Sequence, residues 1–118
     1  MPSMGELAAP VMPSVQAKLA EITGPFNVVA KVTSEPKHAD DVAKLIKDVA
    51  VLANSDEEEG TLTYRISRGV KESSNTFIVY EEYNAPAALT AHLHSTPFQA
   101  LSNYPHLLHA EMDIYSEF

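Results

Sequence analysis

The residue in this sequence with the clearest capacity for chemistry is a histidine in the segment PAALTAHLH. His92 has Leu89 three residues before it and Thr96 four residues after it, so on a helix these side chains share one face. Imidazole is the only side chain that titrates near neutral pH without help from its surroundings. His92 is therefore the best candidate for a general base that removes a substrate proton. A helix histidine that holds a loop by a hydrogen bond is the alternative that the residues leave open.

Three polar or aromatic positions are candidates for contact with a ligand. Tyr64 and Tyr83 combine a ring that can stack on a flat molecule with a hydroxyl that can donate a hydrogen bond. Asn27, at the start of a predicted strand, has an amide that can orient a substrate oxygen or oxyanion. The alternatives are tyrosines that pack in the core and an edge asparagine that bonds to the backbone.

Metal sites receive little support from the residue inventory. The chain has no cysteine, which excludes disulfides, iron–sulfur clusters, thiolate zinc sites and a cysteine nucleophile. His92 and His94 are two apart and point about 200 degrees apart on a helix, so they do not chelate one ion. His106 and His109 form an i, i+3 pair if that segment is helical, but no carboxylate stands at matching spacing. We therefore predict neither a metal nor a cofactor.

Charge and hydropathy narrow the class of partner. The formal net charge of −8 would repel a phosphate backbone, and the eight Lys and Arg residues form no run. No apolar run approaches the roughly 20 residues that span a bilayer. The first residues, MPSMGELAAPVMPS, lack the basic start of a secretory signal. We expect an intracellular, cytoplasmic protein that binds neither nucleic acid nor membrane.

The elements that must position these side chains follow from hydrophobic periodicity and from Pro and Gly breaks. Residues 56–60, DEEEG, are typical of a solvated turn with Gly60 as its hinge. The predicted elements are a strand at 26–33, a helix at 38–54, strands at 61–67 and 76–83, a helix at about 86–101 bent or broken near Pro97, and a strand at 109–117.

Residues 1–25 form an N-terminal extension that precedes this domain of residues 26–118. Val15, Leu19 and Ile22 recur at helical spacing after Ser14, a residue type that caps helices. Two interpretations stay open, namely a poorly ordered terminus and one short helix that packs on the domain or on a partner subunit.

The order β-α-β-β-α-β defines the fold class. It predicts an α+β domain with the ferredoxin-like split βαβ arrangement, in which both helices cover one face of a four-stranded antiparallel sheet. The other face carries Val29, Ile78 and Tyr80 and has no cover within one chain. A second copy of the chain would cover it, so we predict a homodimer.

The stretch from Glu58 to Ala100 resembles the antibiotic biosynthesis monooxygenase family. That family shows E-x-G-x-L-x-Y, then a strand ending in E-x-W, then A-L-x-x-H and a phenylalanine soon after. The matching residues here are Glu58, Gly60, Leu62, Tyr64, Glu81, Tyr83, Ala88, Leu89, His92 and Phe98.

The resemblance implies a dimeric α+β barrel with a pocket between sheet and helices in each subunit. Some members oxygenate quinols, anthrones or polyketide intermediates with dioxygen and no prosthetic group, whereas others isomerise small sugars or have no demonstrated activity. It also adds Phe98 to the predicted substrate-binding residues Tyr64, Tyr83 and Asn27. Tyr83 replaces the usual tryptophan, and the absence of any Trp argues against haem degradation as in a relative of this fold.

The leading hypothesis is therefore a cofactor-independent monooxygenase in which His92 deprotonates a small aromatic substrate. An oxygen-independent isomerase or cyclase of a small carbonyl compound is the first alternative. A non-catalytic module that binds a small molecule or a partner is the second.

Overall fold

A single four-stranded antiparallel sheet organises the chain in the computed structural model, which describes residues 1–118. The strands lie in the order β2-β3-β1-β4. Their bounds are β1 Phe26–Ser34, β2 Thr61–Arg68, β3 Thr76–Tyr83 and β4 Leu107–Ser116, and the helices are α1 Met4–Ala8, α2 Met12–Leu19, α3 Ala39–Ala53, α4 Pro86–Leu93 and α5 Thr96–Asn103. None of these helices has both the length and the apolar character needed to cross a bilayer.

The predicted ferredoxin-like α+β fold is confirmed. The central strand β1 pairs with β3 on one side and with β4 on the other, both antiparallel. Alternation along β1 turns Phe26, Val28 and Val32 toward the helices, where they are buried. Helix α3 buries Val42, Ile46 and Val49 against the same face of the sheet. The core therefore lies between one face of the sheet and the helices.

The second predicted helix is broken, as the proline at position 97 indicated. Helix α4 ends at Leu93, and α5 begins at Thr96 with Pro97 in its first turn. The Ser95 side chain accepts a hydrogen bond from the Phe98 backbone N–H and caps α5. This break lets the two short helices cover different parts of the sheet.

Residues 1–25 contain two helices where the periodicity indicated at most one. Ser3 and Glu6 form a capping box that begins α1. The Leu107 backbone N–H donates to the Pro2 carbonyl at 3.1 Å, and this hydrogen bond joins the start of the chain to β4. Val15 of α2 is buried among residues of the sheet and α4. The extension therefore packs against the domain itself.

The strand β2 departs from the alternation that its sequence indicated. Leu62 and Tyr64 are two residues apart and would share a face of a regular strand, but Leu62 is exposed, whereas Tyr64 is buried. The register shifts between Thr61 and Thr63, where β2 pairs with β3. This bulge inserts Leu62 as an extra residue on an edge strand, so its side chain leaves the core.

Candidate active site

An apolar cavity of about 220 Å³ lies between the sheet and the helices. It is larger than the roughly 150 Å³ apolar cavity that holds benzene in an engineered protein. Fourteen of its 18 lining residues are hydrophobic, which favours a largely apolar ligand. The lining residues are Met4, Gly5, Ala8, Met12, Ala30, Val32, Ile46, Tyr64, Val79, Glu81, Leu89, Leu93, Phe98, Leu101, Ser102, Ala110, Glu111 and Met112.

His92 lies directly behind this wall, with only 1% of its surface exposed. Its Nδ1 is 2.7 Å from Oε1 of Glu58, and the Thr61 hydroxyl donates to the same oxygen at 2.8 Å. Because a carboxylate oxygen accepts, Nδ1 carries a proton, and in the neutral imidazole Nε2 then holds the lone pair. Nε2 is buried and has no hydrogen-bond partner, and neither has Oε2 of Glu58. Leaving such a group unpaired costs about 1–3 kcal/mol, and buried unpaired polar groups are typical of functional residues, which makes His92 a candidate for one.

The contact between His92 and Glu58 depends on a close approach of the backbone. A Cβ at Gly60 would stand 2.4 Å from Cβ of Ala88 on α4. The Asn84 N–H also donates to the Gly60 carbonyl at 3.0 Å, which joins the end of β3 to the start of β2. Since His92 follows Ala88 by one helical turn, this approach brings the imidazole over Glu58. Gly60 has no positive φ, so close packing, rather than a hinge, explains the glycine.

Glu81 is the charged side chain that the helix-facing side of the sheet brings to the cavity. It is 6% exposed and lies on β3 beside Tyr64 of β2. Burial raises the pKa of Glu81 to about 7, the hydrogen bond from the Tyr83 hydroxyl opposes this rise, and the nearby Glu58 carboxylate adds to it. Its Oε1 is 4.0 Å from the free Nε2 of His92. The Glu81 carboxyl group can therefore gain or lose a proton near neutral pH, and Nε2 of His92 lies close to it on the side away from the cavity.

Aromatic rings enclose the imidazole on three sides. The ring centroids of Tyr64, Phe98 and Tyr83 lie 5.1, 5.5 and 5.8 Å from that of His92. Burial, followed by the charge of Glu81, raises the pKa of Tyr64 and the pKa of Tyr83 far above their ordinary values. Both phenols therefore stay protonated, and the Tyr83 hydroxyl donates a hydrogen bond to Glu81. Neither tyrosine can serve as the base.

The sequence-predicted residues occupy different positions relative to the cavity. Tyr64 and Phe98 line it, and His92 packs against both of them. Tyr83 is fully buried, and its hydroxyl donates a hydrogen bond to Glu81. Asn27 is not a lining residue, because alternation along β1 places it on the opposite face of the sheet, where its amide donates to Glu117 at 3.0 Å. The structure thus brings four of the five residues together.

Two acidic residues of the site were not among the predicted site residues. The expectation that residues 56–60 form a solvated turn is wrong for Glu58, whose side chain is only 10% exposed. Val79, Glu81 and Tyr83 are each two residues apart on β3 and share its buried face, and this spacing was the signal that could have identified Glu81. Glu58 and Glu81 both match glutamates of the family pattern, but the sequence alone indicated no role for either.

The segment with His106 and His109 is not helical, so the i, i+3 pair that a helix would have formed is absent. His106 has a φ of 75° just before β4, and His109 lies within that strand. The Nε2 atom of His109 is instead 3.1 Å from its neighbour Glu111. The two histidines therefore do not point to a common ion.

Comparison with known proteins gives matches in sequence family and in fold. The family model described as antibiotic biosynthesis monooxygenase matches residues 25–104. PA3566 from Pseudomonas aeruginosa superposes with a TM-score of 0.72 at 22% identity, and the match covers 83% of this chain and 98% of that one. A protein from Caulobacter crescentus CB15 gives 0.73 at 23% identity over 87% and 98%. Rv0793 from Mycobacterium tuberculosis gives 0.68 at 15% identity over 80% and 95%. No curated protein sequence matches the chain.

Proposed function

This chain belongs to the antibiotic biosynthesis monooxygenase family, and on that basis we propose that it oxygenates a small aromatic substrate without a cofactor. The substrate class is a quinol, an anthrone or a related polyketide-like phenol. The observation that carries the proposal is the Glu81 carboxyl group at the wall of an apolar cavity, with the unpaired Nε2 of His92 behind it.

Substrate binding relies on shape and on a few polar contacts. The apolar wall favours the aromatic body of the ligand, and the Tyr64 and Phe98 rings offer surfaces for stacking. Glu81 is the charged residue on the helix-facing side of the sheet that lines the cavity, so a substrate hydroxyl beside it would contact a carboxylate. This arrangement aligns the acidic proton of the ligand with the carboxylate.

Proton removal is assigned to Glu81 and His92 acting as a pair. The ionised Glu81 takes the substrate proton, because a base with a pKa of about 7 is matched to neutral pH. Nε2 of His92, now 4.0 Å away, accepts a hydrogen bond from the protonated carboxyl after a small approach. Glu58 holds the imidazole in the tautomer that leaves this lone pair free.

The oxygen step needs only electrons from the substrate. Loss of the hydroxyl proton from the enol form of an anthrone gives an anion that transfers one electron to dioxygen, and the resulting substrate radical and superoxide combine at the ring carbon opposite that oxygen. The peroxide takes up a proton and loses water, so that one anthrone and one dioxygen give one quinone and one water. The protein contributes deprotonation, positioning and exclusion of bulk water in this scheme.

The decisive experiment is dioxygen consumption by metal-free protein with a panel of hydroquinones and anthrones. We expect wild-type protein to consume one dioxygen per quinone formed, and we expect His92→Ala to be slower by about 10²- to 10⁴-fold. His94→Ala is the matched control, since His94 directly follows the same helix but its side chain contacts only the backbone carbonyl of Thr90. Equal rates for wild type and His92→Ala would contradict the assignment of His92.

An oxygen-independent isomerase or cyclase is the second candidate, because the Glu81 and His92 pair moves a proton without any oxidant. Turnover of a small carbonyl compound under strict anaerobiosis would favour it over the oxygenase. Absence of thermal stabilisation by every phenol and carbonyl compound tested would instead favour a binding module.

We also propose that the protein is a homodimer that pairs through the outer face of the sheet. That face exposes Val29, Ile78, Tyr80 and Tyr115, which form an apolar patch opposite the helices. A second sheet laid on this patch would bury it and would complete the α+β barrel implied by the family.

A further inference from the structure

A second group of titratable side chains lies at the end of the sheet where β1 ends and β4 begins. Glu35 follows the last residue of β1, His38 immediately precedes α3, and His106 immediately precedes β4. One ligand atom from each of these residues lies within 4.8 Å of the others. None of the three lines the cavity or contacts His92. The group is therefore independent of the proposed reaction.

Glu35 is the centre of this cluster. Its Oε2 is 3.8 Å from Nε2 of His38 and 3.8 Å from Nδ1 of His106. These separations are too long for hydrogen bonds. Ligand atoms around a tetrahedral zinc ion at 2.0–2.2 Å stand roughly 3.4 Å apart. The two Glu35–histidine separations would contract by a few tenths of an ångström around an ion, and the two histidine nitrogens, which lie within 4.8 Å of each other, would also move together.

Hydrogen bonds on the far side of the ring orient His38. The Tyr104 hydroxyl donates to Oδ2 of Asp41 at 2.9 Å, and the Tyr104 oxygen is 3.2 Å from Nδ1 of His38. Because the single hydroxyl proton goes to Asp41, the Tyr104 oxygen accepts from Nδ1–H of His38. This contact leaves Nε2 as the ring nitrogen that faces the Glu35 carboxylate, and a neutral imidazole with its proton on Nδ1 offers the Nε2 lone pair to a cation there.

The two imidazole rings lie face to face beside the carboxylate. The rings of His38 and His106 are stacked, with centroids 3.7 Å apart and planes 7° apart. A single divalent ion would neutralise the carboxylate and bind one nitrogen of each ring, and imidazole and carboxylate oxygen suit zinc.

The backbone brings the ligands together, and the side chains retain room to adjust. The Glu35 N–H donates to the His106 carbonyl at 2.9 Å, which ties the end of β1 to the start of β4. Stacked rings aim their lone pairs along parallel planes, so one ring must turn about χ2 to share an ion. The His38 and His106 side chains are 21% and 36% exposed, which leaves space for this turn.

We propose that Glu35, His38 and His106 bind one divalent transition-metal ion of the Zn²⁺ type, with water completing the coordination. Tyr104 and Asp41 orient His38 from behind, as carboxylates and hydroxyls do for zinc-bound histidines. The ion would clamp the end of β1 to the start of β4. Because it binds the folded chain, it would raise the melting temperature.

The test is titration of chelator-treated, full-length protein with ZnCl₂, followed by calorimetry and thermal unfolding. We expect one ion per chain and a rise in Tm. We expect His38→Ala and His106→Ala each to weaken binding at least tenfold, and Tyr104→Phe to weaken it by about 10- to 100-fold. His109→Ala is the matched control and should bind as wild type does. Co²⁺ should give visible absorption bands of a four-coordinate site, and these bands should disappear in His38→Ala.

Two results would overturn the proposal. One is the absence of saturable binding to the wild-type protein at millimolar ZnCl₂. The other is unchanged affinity in the double variant His38→Ala, His106→Ala, since the ion would then bind elsewhere. Circular dichroism of each metal-free variant separates a lost ligand from a lost fold.

Discussion

At the scale of single residues, the carboxyl group of Glu81 sets the pH response of the cavity. Its folded-state pKa of about 7 stands above its ordinary value of 4.5, chiefly because the group is buried. Between these two values the folded chain holds a proton that the unfolded chain releases. Stability therefore falls as the pH rises through this window.

The substitution Glu81→Gln tests this linkage. We expect the free energy of unfolding of wild-type protein to fall by on the order of 3 kcal/mol between pH 4.5 and 7, and that of the variant to fall much less. Urea unfolding at pH 5 and pH 8 measures the difference. The matched control is Glu82→Gln, whose side chain lies on the opposite face of the sheet. Parallel pH profiles for wild type and Glu81→Gln would contradict the assignment.

Tyr83 modulates the same carboxyl group. Its hydroxyl donates a hydrogen bond to Glu81, and this contact lowers the pKa of Glu81 against the effect of burial. In Tyr83→Phe the pKa of Glu81 should rise further, so the rising limb of the rate against pH should move to higher pH. A pH profile of kcat/KM for both proteins measures the shift, and a limb at an unchanged pH would argue against Glu81 as the base.

The sequence identified part of this residue network. His92 and Tyr64 were found because helical spacing, strand alternation and the family pattern all converge on them. The role of Glu58 was missed because an isolated acidic tract resembles a solvated turn. Its inward orientation depends on a contact with His92, 34 positions along the chain, and no local pattern encodes that contact.

At the scale of elements, the packing of α4 against the start of β2 determines the geometry of the site. Gly60 allows this approach, since a Cβ there would stand 2.4 Å from Cβ of Ala88 and 2.9 Å from Oδ1 of Asn84. Any larger residue must push α4 away from the sheet. His92 and Glu58 would then separate.

The substitution Gly60→Ala should therefore affect both stability and activity. We expect a loss of about 1–3 kcal/mol in the free energy of unfolding, as for other overpacked sites, together with slower turnover. Gly24→Ala is the matched control, because no atom lies within 4 Å of its added Cβ. Denaturant unfolding measures both variants, and equal stability of the two would show that α4 yields without cost.

The elements were predicted where hydrophobic periodicity extends over enough residues. The strands and α3 follow from alternation and from helical spacing, and Pro97 marked the break between α4 and α5. Helix α1 was missed because five residues are too short to show a period, and its stability comes from packing on α5 and β4. The exposure of Leu62 was missed because a bulge depends on the register with the neighbouring strand.

At the scale of the whole molecule, the two faces of the sheet are covered differently. Helices bury one face, whereas the other exposes Val29, Ile78, Tyr80 and Tyr115. Apolar side chains clustered on an open sheet are typical of a surface that pairs with another chain. The proposed dimer follows from this asymmetry.

The substitution Ile78→Asp tests the dimer. A charge at this position would be buried without a partner in the paired state, so we expect the variant to be a monomer where wild-type protein is a dimer. Sedimentation equilibrium measures the mass of each. Val51→Asp on α3, 67% exposed on the helical side, should leave the dimer intact. A monomeric wild-type protein at tens of micromolar would contradict the proposal.

The wall that α1 contributes to the cavity has a consequence for the order of synthesis. Met4, Gly5 and Ala8 line the cavity, and α1 packs against α5 and β4 near the other end of the chain. On the ribosome these first residues emerge long before the surfaces on which they rest, so the nascent chain has nothing to hold them. Closure of the cavity must therefore wait until β4 has been translated. A translation product that stops before residue 107 would contain Glu81 and His92 but no enclosed cavity beside them.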